Sequence, residues 1–86
     1  MKIKLVITGR SYDAAAGVPA ELDLPAGAAL DDALRAVTGL LPDDRPLPPS
    51  CLVAVSGSHV GTLGSHRARE LREGDELVLI APVAGG

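Results

Sequence analysis

Ile3, Leu5 and Ile7 alternate with Lys2, Lys4 and Thr8 at the start of the chain. This is the period of two that a half-buried strand imposes, because successive side chains point to opposite faces. A polar, Ala- and Gly-containing connection runs from Gly9 to Pro19, and alternation returns in Ala20-Glu21-Leu22-Asp23-Leu24 with Leu22 and Leu24 turned inward. The two segments predict a hairpin with a long loop. Lys2 and Lys4 would then oppose Glu21 and Asp23, a cross-strand pairing worth a few tenths of a kcal/mol, roughly, if the register brings them together.

Beyond Pro25 and Gly27 the period changes. Leu30, Ala33, Leu34, Val37 and Leu41 fall at i, i+3, i+4, i+7 and i+11, the stripe of an amphipathic helix. Asp31 and Asp32 lie in its first turn, where carboxylates complement the helix dipole, and Gly39 and Pro42 are stop signals. Residues 42–50 contain four prolines and read as an extended connector. Cys51-Leu52-Val53-Ala54-Val55 is nearly continuous in apolar character and predicts a central strand buried on both faces. Ser56-Gly57-Ser58 turns the chain into a short strand around Val60, and residues 61–70 carry little pattern and read as loop. Leu71-Arg72-Glu73-Gly74-Asp75 makes a turn with Gly74 where a positive φ is cheap, and Glu76-Leu77-Val78-Leu79-Ile80 forms the last strand, ended by Pro82.

Strand, strand, helix, strand, short strand, strand favours one mixed sheet with a helix across one face. The first and last strands can lie side by side in parallel, since the intervening chain is long enough for the crossover. The expected class is α+β in a β-grasp (ubiquitin-like) arrangement of four to five strands with one main helix. With 86 residues, a single core is expected: a β-grasp domain over 1–82 and a flexible tail over 83–86.

Composition narrows the function. An apolar fraction of 47% suffices for a packed core, but Tyr12 is the sole aromatic residue, so the stacking platforms of single-strand nucleic-acid binders are missing. Eight basic against 11 acidic residues, net charge -3, argues against phosphate backbones as partners. One cysteine, Cys51, suits a reducing compartment and excludes the four thiolates of a β-grasp ferredoxin. The N-terminus lacks a signal-peptide core, and no apolar run approaches a membrane span. The expectation is a cytoplasmic protein with no nucleic-acid or membrane partner and no bound cofactor.

Cys51 opening an apolar strand reads as a small core hydrophobe rather than a nucleophile served by His59 or His66. The two histidines lack the accompanying ligands of a metal site and read as surface residues, so no metal is expected. Arg67, Arg69 and Arg72 read as a solvated basic loop. Gly61 to Ser65 lacks the lysine of a phosphate-binding loop.

The feature with most chemistry is Gly85-Gly86, reached from a strand through Ala81-Pro82-Val83-Ala84. At a background glycine usage near 7%, a terminal pair arises by chance about once in 200 chains. Two residues without side chains make a thin tail that threads a narrow cleft and presents an unhindered carboxylate.

With that tail in view, the chain resembles the MoaD/ThiS family of ubiquitin-like sulfur carrier proteins. The resemblance is carried by Leu71-Arg72-Glu73-Gly74-Asp75-Glu76, similar to the family's Leu-x-x-Gly-Asp-Glu turn, and by the final strand with its Pro82-Val83-Ala84-Gly85-Gly86 ending. Val53-Ala54-Val55-Ser56-Gly57 is a weaker echo of a Val-Asn-Gly-like strand end. Length and ending lean toward the MoaD-like branch, the small subunit of molybdopterin synthase. Members commonly carry aromatic residues and a Pro-Pro pair before the tail, where this chain has Leu79, Ile80 and Ala81.

The resemblance implies a cosubstrate rather than an enzyme. Gly86 is the acting residue: its carboxylate is adenylated with ATP inside an E1-like partner, sulfur from a persulfide donor replaces AMP, and the resulting thiocarboxylate serves an acceptor such as the molybdopterin synthase large subunit. Gly85, Ala84, Val83 and Pro82 form the tail. Leu77 and Leu79 alternate with Val78 and Ile80, so one pair should face the helix and the other outward; a strand apolar on both faces suggests an interaction patch. Val78 and Ile80 are the partner-binding candidates, the competing reading being that a connector covers that face. Open alternatives are carriers for thiamine thiazole, cysteine or tRNA thiolation, a ubiquitin-like modifier, and a plain interaction domain with an incidental Gly-Gly end.

Overall fold

The computed structural model describes residues 1–8, 19–41 and 47–81. Along them run strand β1 (Lys2–Thr8), β2 (Glu21–Asp23), helix α1 (Leu30–Leu40), β3 (Leu52–Val55), β4 (Ser58–Thr62), β5 (Ser65–His66) and β6 (Glu76–Ile80). The strands form one sheet in the order β2-β1-β6-β3-β4-β5. β1 pairs in parallel with β6, from Lys4↔Glu76 to Thr8↔Ile80, and every other pairing is antiparallel. This is the expected α+β, β-grasp arrangement: a mixed sheet whose parallel centre is closed by the crossover between first and last strands.

The apolar alternation decides which face is dry. Ile3 and Leu5 of β1, Val53 and Val55 of β3, and Leu77 and Leu79 of β6 are 5% exposed or less, and the helix buries Leu30, Ala33, Leu34 and Val37 in the same core. Burial of each such Leu, Ile or Val contributes about 1.5–3 kcal/mol, which is how a core without aromatic residues holds the fold. Ala29 stands at the helix N-cap with no side-chain acceptor of its own. Asp32 compensates from inside the first turn: its Oδ2 accepts the Ala29 N–H at 2.9 Å and its Oδ1 pairs with Arg35. The Ala29 hydrogen bond first, then Arg35, holds the Asp32 carboxyl below the usual carboxylate range.

Lys2 stands opposite Asp23 and Lys4 opposite Glu21, the register that the sequence calls for, but no ion pair closes between them, and Asp23 Oδ1 lies instead 3.7 Å from the N-terminal amine of Met1. Two expectations need correction. The sheet has six strands among the described residues rather than four or five, because residues 61–70 are not loop throughout: β4 extends to Thr62, and Ser65–His66 returns beside it, pairing Gly61↔His66 and Thr62↔Ser65. A two-residue strand is too short to show a period. β3 is central, but it is not buried on both faces, since Leu52 is 41% exposed and Ala54 half-buried.

Candidate functional site

Two turns set the position of the last strand. Ser56 and Gly57, with φ of 48° and 87°, turn β3 into β4, both central residues taking the positive φ that tight hairpins require. The Ser56 hydroxyl donates to Asp75 Oδ1 at 2.7 Å and accepts the Glu76 N–H at 3.2 Å. Asp75 Oδ2 accepts the Arg72 N–H at 2.8 Å, closing the turn in which Gly74 takes φ 85°. The Ser56 bond first, with further help from Arg72 and Arg69, keeps the Asp75 carboxyl below the usual range. Gly74 N–H donates to Lys2 O and Lys4 N–H to Asp75 O, each at 2.8 Å. The Leu-Arg-Glu-Gly-Asp-Glu segment is therefore the clamp that starts β6 in register with β1.

From that clamp β6 alternates as the sequence reading expects. Leu77 and Leu79 point into the core, while Val78 is half-buried and Ile80 is 40% exposed on the face away from the helix. Pairing places neighbours around them: Val6 and Ala54 flank Val78, and Thr8 and Leu52 flank Ile80. Val6 and Leu52 are, like Ile80, about 40% exposed, so three large aliphatic side chains and two half-buried ones make one open patch across β1, β6 and β3. Val6 and Leu52 escaped the sequence reading. The available signal was an apolar residue on the outward phase of a strand: Val6 interrupts the Lys2, Lys4, Thr8 series.

The chain leaves the domain at one corner of this patch. Ala81 is buried, and its N–H donates to Thr8 O at 2.7 Å, extending the β1–β6 ladder by one bond. Pro82, Val83, Ala84, Gly85 and Gly86 lie outside the described residues. Covalent geometry bounds their reach beyond Ala81 to about 18 Å.

Other candidates separate clearly. Cys51 is fully buried, and burial pushes its thiol pKa up, which suits a core residue and not a thiolate nucleophile. His59 is exposed, as read from sequence, but His66 is not a free surface residue: its side chain is 13% exposed and engages the helix. Arg67 and Arg72 are exposed and Arg69 is half-buried. No group of three or more His, Cys, Asp or Glu side chains suited to a metal occurs among the described residues, and none of their helices is long and apolar enough to cross a membrane.

Comparison with known proteins places this geometry. The sequence profile of the ThiS family matches residues 6–86. The chain belongs to the ThiS family. These are ubiquitin-like sulfur carriers that work with E1-like enzymes and acceptors, and the open patch and exit corner are thus found on a ThiS-family scaffold. The crystal structure of SAMP1 from Haloferax volcanii is similar over 100% of both chains, with a TM-score of 0.66 and 24% sequence identity, a likeness of fold. No curated protein matches the sequence.

Proposed function

We propose that this ThiS-family chain carries sulfur as a C-terminal thiocarboxylate on Gly86 and delivers it in molybdopterin synthesis. The supporting observation is spatial: the open aliphatic patch of Val6, Leu52, Val78 and Ile80 adjoins the corner from which the Gly-Gly tail departs. A partner seated on the patch holds the chain within about 18 Å of its own catalytic centre. The chemistry belongs to the partners. A Gly86 carboxylate oxygen attacks the α-phosphorus of ATP and pyrophosphate leaves; the terminal sulfur of a persulfide attacks the acyl adenylate and AMP leaves. A thiol then reduces the resulting acyl disulfide, releasing the thiocarboxylate. Pro82, Val83, Ala84 and Gly85 are the thread that reaches the cleft.

The test is the intact mass of the protein after incubation with ATP, an E1-like enzyme, a persulfide donor and a thiol. Replacement of one oxygen by sulfur, mapped to Gly86, is the expected result; no shift under conditions that load an established carrier removes the proposal. Conversion of precursor by a molybdopterin synthase large subunit tests the pathway, and a ladder of covalent conjugates on a denaturing gel would favour a modifier. Ile80→Asp places a carboxylate in the middle of the patch and leaves the core untouched. Burying that charge unpaired is expected to weaken docking on the E1-like enzyme by at least tenfold, about 1.4 kcal/mol, read by titration calorimetry beside an unchanged unfolding midpoint.

A further inference from the structure

His66 lies at the junction of the β4–β5 hairpin and the first turn of α1, away from the β6 patch. Its Nδ1 is 2.9 Å from the Thr62 carbonyl oxygen and its Nε2 is 2.6 Å from Asp31 Oδ1. A carbonyl only accepts, and so does an ionised carboxylate; each ring nitrogen must therefore carry a proton, and only the imidazolium supplies both. Asp31 stands in the first turn of the helix, where the dipole favours negative charge. We propose that His66 is a protonation-controlled clasp, closed on Asp31 and Thr62 while the ring is charged and opening when the ring loses a proton.

The surrounding groups are consistent with this. On the helix side Arg35 lines the same groove, of about 570 Å³, with Leu34, Thr38 and Leu63, but its guanidinium is engaged by Asp32, leaving Asp31 to face the ring. On the hairpin side the ring meets backbone carbonyl, and Arg67 is exposed. The Asp31 hydrogen bond first, with the Thr62 carbonyl and against partial desolvation, raises the His66 pKa above its ordinary 6.5. The sign follows: a raised folded-state pKa gives stabilisation that is full below the unfolded value near 6.5 and is lost as pH rises through the folded value. Opening would also reach the sheet, because Thr62 pairs with Leu52 of the aliphatic patch. That consequence rests on the docking role proposed above; the clasp does not.

The experiment reads the clasp alone. Histidine ring resonances of the whole chain are titrated by NMR, native and in urea, with amide exchange protection of Leu63 and Arg67 measured on both sides of the His66 midpoint. Leu63 N–H donates to Cys51 O and Arg67 N–H to Val60 O, so both report on the hairpin. The expected result is a native His66 midpoint above the urea value, at least threefold lower protection above it, and return of the midpoint to the urea value in Asp31→Asn. His66→Gln should remove the pH dependence of protection. A native midpoint at or below the urea value, or protection that ignores the titration, overturns the proposal.

Discussion

Deleting Gly86 is expected to lower the rate of thiocarboxylate formation by at least 100-fold, measured by intact mass under single-turnover conditions with the E1-like enzyme. The reason is positional. Docking is set by side chains of the sheet, and a carboxylate oxygen of the last residue must then reach the α-phosphorus of ATP in line with the departing pyrophosphate. Removing one residue withdraws the carboxylate by roughly 3.5 Å, and misplacement by about 1 Å can already cost around 100-fold. Docking itself should persist, because Val6, Leu52, Val78 and Ile80 are intact. A deletion variant that forms thiocarboxylate at the native rate would show that the Gly-Gly end is incidental.

Gly61→Ala should be the most damaging glycine-to-alanine substitution among the described residues. Gly61 takes φ +134°, and a Cβ built there lies 2.4 Å from Ser65 O and 2.8 Å from His66 Cα. Both are backbone atoms and neither can swing aside. Overpacking of about 1–3 kcal/mol adds to backbone strain of about 1–3 kcal/mol, and in a domain of this size each kcal/mol lowers the unfolding midpoint by about 4–8 °C. A fall of about 10 °C or more is expected by calorimetry, with the β4–β5 pairing lost first. Gly74→Ala is the control: φ +85° but nothing within 4 Å, so it incurs only the left-handed strain of about 1 kcal/mol. Equal losses in the two variants would show that the close approach at Gly61 has no energetic weight.

The contrast between these glycines shows what a linear reading reaches. Gly74 was legible because a turn between two apolar runs demands a positive φ at one place. Gly61 was not: its requirement comes from the close return of Ser65 and His66 along a strand only two residues long. The same holds for His66, whose partner Asp31 is 35 residues away. Its sequence neighbours are polar and small, and nothing local distinguishes it from exposed His59. Asp32 was partly legible, its first-turn position being read as a dipole effect, whereas its hydrogen bond to Ala29 belongs to the cap itself.

By itself the sequence determined the elements whose periodicity is long enough to repeat, β1, α1 and β6, and the alternation of Leu77 and Leu79 against Val78 and Ile80 that turns one pair inward and the other outward. These follow from side-chain alternation and helical spacing, which are properties of the chain alone. Tertiary structure decided how those faces combine. It placed Val6 and Leu52 beside Val78 and Ile80, left Leu52 exposed on a strand that reads as wholly buried, and drew Ser56 to Asp75 and His66 to Asp31. The physical reason is that strand register and sheet order bring together residues far apart in the chain.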